Sequence, residues 1–444
     1  MRKGCALMSS LTVIANDPLT PIKKVNGVGQ PPITGAASSS MIHYLTEANI
    51  PYSRLHDVGG TFGGGRFVDI PNVFPDFDAD ENDPASYAFA YTDWLLSALD
   101  EAGVEPVYRL GVTIENAVAM YASPRIFPPK DYDKWARVCE HIIRHYTEGW
   151  ANGFHFHIDY WEIWNEPDNH FKLNGNMMWQ GSAEDYYRLY EVTARHLKAC
   201  FPQLKIGGYA SCGFYHVTNP GGGGEPERMR YFVDFFEGFL DWITSPAHRA
   251  PIDFFSWHSY ADIEETRAHA AYCRRALDER GFGRVETQLN EWNPSPRVFG
   301  LMKHAVKVGG MLCALQDMPV DTAMFYDARV GISEYGSLFS PETRKPYADY
   351  DAFVMFGRLL KLGSQLRVAL DEAGVYAVAA TDGQTRGMMV VNTTAEDKAM
   401  LVEGIDLSTV RCEITDRHRR MEAAALIRDG KLCMPGESMA YLAW

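Results

Sequence analysis

An eight-stranded parallel (β/α)8 barrel carrying an accessory antiparallel β-sandwich is the α/β fold class that the sequence predicts. Between residues 25 and 330, short apolar strand patterns alternate with longer helical ones, and eight such strand segments can be placed. After Pro346 the pattern shortens to alternating segments punctuated by Asp382-Gly383, Asp429-Gly430 and Pro435-Gly436. No GxGxxG run follows the first strand, which disfavours an open dinucleotide-binding sheet.

The barrel strands are expected at Val25–Gly29, Tyr52–His56, Glu105–Leu110, Tyr160–Trp164, Lys205–Tyr209, Ile252–Trp257, Val285–Leu289 and Thr322–Tyr326. Helices are expected between them. One runs from around Ala37 to Ala48, and one starts at Asp83-Pro84, with Asp as N-cap and Pro at the first helical position, and stops at Gly103. Others run from about Asp131 to Thr147, from Ser182 (with Asp185 as a capping-box partner) to Cys200, from Ile263 to Glu279, and from Arg297 to Leu315. A helix over about Tyr347–Leu362 leads to sandwich strands at Val375–Ala380, Gly387–Asn392, Ala399–Val402, Arg411–Thr415 and Ser438–Leu442. The division is therefore residues 1–24 as an N-terminal strand joining the sandwich, 25–345 as the barrel, and 346–444 as a linking helix and sandwich.

The formal charge of −15 argues against nucleic acid as the partner, because phosphate binding needs a positive surface. No run reaches the roughly 20 apolar residues that span a bilayer, so no membrane partner is expected. The eight cysteines are scattered without a CxxC pair, which fits reduced thiols in the cytoplasm and gives no zinc site. The first 15 or so residues, with Arg2 and Lys3 before an apolar stretch, read as a strand over Leu11–Ala15; a secretory signal is the alternative, and would place the protein outside the cytoplasm. Asp76–Asp83 alternates oxygen ligands but fails the EF-hand pattern at Glu81 and Tyr87, and reads as a solvated acidic loop. His155-Phe-His157 reads as exposed, and Gly221–Gly224, lacking the Lys-Ser/Thr of a phosphate loop, as a flexible connection. No metal and no cofactor is called for.

A parallel barrel keeps its active site at the carboxyl ends of its strands. There the sequence places Arg54, His56 and Asp57; Asn165 and Glu166; His258 and Tyr260; Asn290, Glu291 and Trp292; and Tyr326 and Asp327. Two glutamates, each preceded by Asn, end the fourth and seventh strands. Such a pair suits glycosidic-bond cleavage, in which one carboxylic acid protonates the leaving oxygen while a carboxylate attacks the anomeric carbon or activates water. The charge of one carboxylate is expected to raise the pKa of the other and keep an acid protonated near neutrality.

These motifs carry a resemblance. Tyr160-Trp-Glu-Ile-Trp-Asn-Glu-Pro-Asp168 is similar to the acid/base motif of the clan A glycoside hydrolases, most of all family 39, which holds β-xylosidases and α-L-iduronidases. Tyr52-Ser-Arg-Leu-His56, Trp257-His-Ser-Tyr260 and Leu289-Asn-Glu-Trp-Asn293 resemble that family's second-, sixth- and seventh-strand motifs. The resemblance implies Glu166 as general acid/base, Glu291 as nucleophile, retention of configuration and no cofactor. It implies sugar contacts from Asn165, His56 and His258, and hydrogen bonds from Tyr260 and Tyr326 to the nucleophile. Trp292, with Trp164 and Phe325, would offer a stacking wall. A homo-oligomer is compatible with it.

Two features depart from the family pattern. The loop after the second strand is long and glycine-rich, Val58-Gly-Gly-Thr-Phe-Gly-Gly-Gly65, and the eighth strand ends Phe-Tyr-Asp rather than Tyr-Trp. A long loop at the mouth favours a pocket and exo-action on terminal sugars of plant-derived oligo- or polysaccharides. The alternatives are an endo-acting hydrolase of the same clan and a non-catalytic carbohydrate-binding barrel.

Overall fold

Short strands buried on both faces, such as Tyr52–Leu55 and Phe254–Ser259, can form only where helices cover one side and packed side chains the other. A computed structural model describes residues 9–33, 41–58, 67–114, 125–221, 225–330 and 335–444. The N-terminal strand β1 spans Ser10–Pro21. A closed parallel barrel then runs through β2 (Gly27–Gly29), β3 (Tyr52–Leu55), β4 (Glu105–Leu110), β5 (Tyr160–Ile163), β6 (Lys205–Ser211), β7 (Phe254–Ser259), β8 (Glu286–Trp292) and β9 (Thr322–Phe325), with β9 returning to β2.

Inward-facing residues stack in layers. Tyr52, Val107, Tyr160, Phe254 and Met324 form an apolar plug towards the amino ends of the strands. Outward-facing residues such as Trp161, which stacks on Tyr108 at 4.9 Å, join the large core between strands and helices. The barrel is a filled core whose open end lies at the carboxyl ends.

The outer helices are α1 (His43–Glu47), α2 (Ala90–Glu101), α3 (Tyr132–Thr147), α4 (Ala183–Cys200), α5 (Pro226–Thr244), α6 (Ile263–Glu279), α7 (Met302–Leu315) and α8 (Ala348–Leu362). Their caps follow the expected chemistry: Asp131 accepts from the Lys134 amide, Ser182 and Asp185 form a reciprocal capping box, and Asp262 accepts from the Glu265 amide. Two expected starts move. Asp83-Pro84 opens only a 3-10 turn, Pro84–Ser86, and α2 begins at Ala90. The segment near Arg297 is likewise a 3-10 turn, and α7 begins at Met302.

The helix α8, expected as a link, packs as the eighth outer helix of the barrel. Its Phe353 ring lies 5.6 Å from Phe325 of β9, and Tyr350 donates to the Tyr44 carbonyl of α1 at 2.8 Å. The remaining strands are β10 (Ser364–Leu370), β11 (Val375–Thr381), β12 (Arg386–Asn392), β13 (Lys398–Glu403), β14 (Arg411–Thr415), β15 (Glu422–Ala423), β16 (Ile427–Arg428), β17 (Lys431–Met434) and β18 (Ser438–Ala443). With β1 they make a 10-stranded sheet around its own core of Leu11, Leu366, Met388, Ile414 and Leu442. Strand β1 sits between antiparallel β10 and parallel β13.

The acidic loop after Phe74 turns on itself. Asp76 accepts from the Asp78 amide and Asp80 from the Asn82 amide, while Lys130 and Arg137 pair with Asp78 and Glu81. Most of the glycine-rich loop after β3 (59–66), residues 37–40 at the start of the first expected helix, the Arg2-Lys3 segment and Gly222–Gly224 lie outside the described residues. Among the described residues, no helix is long and apolar enough to cross a membrane.

Candidate active site

Three charged residues, Arg54, Arg109 and Glu162, alternate with apolar ones along β3 to β5, so the pleat turns them all into the barrel. Arg54 reaches three acceptors at once: Nε donates to Glu162 at 2.8 Å, and the terminal nitrogens to Glu291 at 2.7 Å and to the Asn165 side-chain oxygen at 2.6 Å. Burial disfavours the guanidinium charge, but Glu162 and Glu291 outweigh it and raise the pKa of Arg54 further. Ser256 and Asn290 donate to the second oxygen of Glu162, at 2.6 and 2.5 Å. Arg109 pairs instead with Asp69 at 2.5 Å.

Both glutamates at the mouth stand where the strand geometry breaks. A regular β8 would send Asn290 and Glu291 to opposite faces. The pairing with β7 slips between Leu289–Trp257 and Glu291–His258, so one extra residue is accommodated and both side chains reach inside. Beyond β5, Trp164 and Glu166 adopt positive φ angles of 74° and 45°, sparsely populated by residues with side chains. The Glu166 amide is held there by the Tyr209 and Ala210 carbonyls at 3.2 and 3.1 Å. Gly208 makes this approach possible: its φ is +151°, and a Cβ would lie 2.8 Å from the Ile163 carbonyl oxygen.

The carboxylates of Glu166 and Glu291 and the His258 ring offer ligand-type atoms that all lie within 4.8 Å of one another. His258 Nδ1 is hydrogen-bonded to Glu166 at 2.8 Å and lies 3.5 Å from Glu291. Tyr260 donates to Glu291 at 2.6 Å, and Asn169 donates to the other oxygen of Glu166 at 3.0 Å.

The raised acid pKa expected of the pair is not found at Glu166. Burial pushes the Glu166 carboxyl up, yet its hydrogen bond to His258 and the charge of that ring, with Asn169 and Cys212, hold it below the ordinary 4.5. Burial pulls His258 down, but Glu291 and Glu166 together raise it above 6.5. The unliganded site thus favours imidazolium beside carboxylate. The raised histidine stabilises the fold fully below 6.5 and loses that contribution as pH climbs through its folded value; the depressed glutamate contributes above 4.5 and loses it in acid. The gap in melting temperature between wild type and His258→Asn is expected to be widest between about pH 4.5 and 6.5. A gap that grew steadily above pH 7 would contradict the pairing.

The other expected residues divide. Asn165 is buried beside the pair with its side-chain oxygen occupied by Arg54, which leaves the NH2 as its donor end. His56 is buried with Nε2 3.3 Å from Asp57; burial first, then the charges of Arg109 and Arg54, keep it neutral. Tyr326 does not bond Glu291. Its hydroxyl donates to Asp57 at 3.1 Å and accepts from Gln30 at 2.7 Å, because β9 points it across the barrel towards β2 and β3. Trp292 is fully buried with its ring 5.2 Å from Phe325, facing the helix layer, so it has no exposed face for a sugar. Trp164 and Phe325 are buried in the same way.

Sequence reasoning named Arg54 at the strand end without a role and missed Glu162. The signal available was a charge in the middle of an otherwise apolar four-residue strand. Asp168 was also passed over: it accepts from Ser211 at 2.8 Å, and burial pushes its carboxyl up to about 7.

Facing carboxylates at the carboxyl mouth of a parallel barrel, with a sheet domain appended, define the class of glycoside-cleaving barrels. The family model described as Glycosyl hydrolases family 39 matches residues 68–299, just over half of the sequence, and the chain belongs to that family. A β-xylosidase of Geobacillus stearothermophilus is 27% identical over 212 residues, covering 45% of this chain and 35% of the relative. One from Caldicellulosiruptor saccharolyticus is 26% identical over 237 residues, covering 48% and 42%. The match thus spans less than half the length of these relatives. Among solved structures, a glucosidase from Croceicoccus marinus superposes with a TM-score of 0.77 at 22% identity over 99% of both chains. A monomeric β-xylosidase from Caulobacter crescentus gives 0.67 at 15% identity, over 98% of this chain and 99% of that one. At these identities the likeness establishes the shared fold.

Proposed function

We propose that this protein is a retaining, exo-acting glycosidase of β-xylosidase type, acting without a cofactor. The observation that carries the reading is that a carboxylate oxygen of Glu166 and one of Glu291 lie within 4.8 Å of each other. Retaining enzymes hold their carboxyl groups about 5–5.5 Å apart, whereas inverting ones need about 6.5–9.5 Å to admit water between them. The family relatives named β-xylosidase support the sugar class. The long loop after β3 supports exo-action, which product lengths from a xylan would test.

In this reading Glu291 attacks the anomeric carbon while Glu166 gives its proton to the glycosidic oxygen, and the leaving sugar departs as an alcohol. Water then attacks the glycosyl-enzyme, Glu166 takes its proton, and Glu291 is released. Arg54 and Tyr260 hold the Glu291 carboxylate in place, since both donate to it. The first step needs the proton on Glu166, so the His258–Glu166 bond has to return it. A sugar that displaces water from the mouth favours this, because desolvation penalises the ion pair. In the same reading Asn165, its oxygen taken by Arg54, donates from its NH2 to the sugar 2-hydroxyl.

Glu166→Ala is expected to lose roughly 10²–10⁴-fold in kcat/KM on xylobiose, with a far smaller loss on a dinitrophenyl xyloside whose leaving group needs no proton. Azide should restore turnover of the latter and yield the β-glycosyl azide. Equal losses on both substrates would remove Glu166 from the acid/base role.

A further inference from the structure

Immediately beyond the acid/base loop, the rim of the barrel is unusually apolar. Phe171, Leu173 and Met177 are 37%, 53% and 41% exposed within one seven-residue stretch. Between this stretch and the start of α5 lies an open groove of about 300 Å³, lined by His170, Phe171, Lys172, Glu225, Glu227 and Arg228.

The groove is tied to the catalytic acid by two hydrogen bonds. Arg228 Nε donates to the Asn169 carbonyl at 2.7 Å, and the Asn169 side chain donates to Glu166 at 3.0 Å. Phe171 follows Asn169 by two residues, at most about 7 Å of chain. A general acid must lie against the glycosidic oxygen, on the departing side of the bond, so the loop that carries it flanks the leaving group rather than the sugar attacked.

We infer that this groove binds the sugar units on the leaving-group side of the scissile bond, with Phe171 as the aromatic platform. It takes an uncharged pyranose chain: the ring offers a C–H-binding face, and Lys172, Glu225, Glu227 and Arg228 offer donors and acceptors of both signs to hydroxyls. His170 stacks on the Phe171 ring at 4.7 Å and Lys172 Nζ lies 5.1 Å over it; the exposed Lys172 side chain is the one that yields its place to a sugar. The inference rests on Glu166 as the acid, and it deepens the proposed function by adding a length preference: longer xylo-oligosaccharides gain contacts that an aryl xyloside does not make.

The test compares kcat/KM for xylotetraose with kcat/KM for p-nitrophenyl β-xyloside in wild type, Phe171→Ala and Phe171→Trp. Phe171→Ala is expected to lower the ratio roughly tenfold, the size of one well-buried contact, through KM more than kcat, and Phe171→Trp to keep it. An unchanged ratio in Phe171→Ala, or a wild type that cleaves the aryl glycoside alone, overturns the groove and leaves the glycosidase reading intact. A wild type that turns over neither substrate fails the β-xylosidase reading itself, and the groove falls with it.

Discussion

Glu291→Gln is expected to lower kcat on every glycoside by on the order of 10⁴-fold or more, as loss of a nucleophile does elsewhere. The amide keeps the size of the carboxylate, its oxygen can still accept from Arg54, and Arg54 keeps Glu162 as its counter-charge, so folding should survive. The attacking charge does not. The check that separates a nucleophile from a merely electrostatic carboxylate is covalent. A 2-deoxy-2-fluoro xyloside with a good leaving group should add one sugar mass to the wild type, on the peptide carrying Glu291, and none to the variant. Label recovered on another carboxylate would move the nucleophile there, and Glu291 would lose its role.

Arg54→Met carries the second large effect, on stability as well as turnover. Arg54 is the cation between two buried carboxylates, Glu162 and Glu291, with both ion pairs at 2.7 Å. Removing one member of a buried charge cluster strands the others, at a cost of about 3–5 kcal/mol. The urea midpoint should therefore fall sharply, and kcat with it, because Glu291 loses one of the donors that hold it in place. Arg54→Lys should recover only part of this, since a point charge cannot reach three acceptors in three directions. An Arg54→Met protein with unchanged midpoint and kcat would mean that the cluster neither stabilises the fold nor positions Glu291.

The barrel was legible because its chemistry is repetitive. Glu105–Leu110 and Ile263–Glu279 lie where alternation and capping placed them. What escaped had overlapping signals. The helix α5 carries Phe232, Phe235, Phe236 and Phe239 at helical spacing, yet its aromatic density hid the period and no helix was placed there. Strand β10 follows α8 at Gly363 without a loop, and the exposed Arg367 interrupts its apolar run. The two glutamates could be read from strand ends and motif, and the structure brings them together with His258 and Tyr260. Tyr326 and Trp292 could not be placed by reading, because a slipped register at β8 and β9 decides which way successive residues point. Nor could the downward shift of Glu166, which depends on a histidine far away in sequence.

Strand β1 has its partners at Ser364–Leu370 and Lys398–Glu403, across the whole barrel. During synthesis at about 5–20 residues per second it emerges long before them and waits some tens of seconds. Throughout that interval Leu11 and Val13, buried in the finished sheet, belong to a ribbon edge that any other nascent chain can pair with. The ribosome, rather than the test tube, is where this architecture is most exposed to clumping, and chaperone supply should govern its yield in a heterologous host.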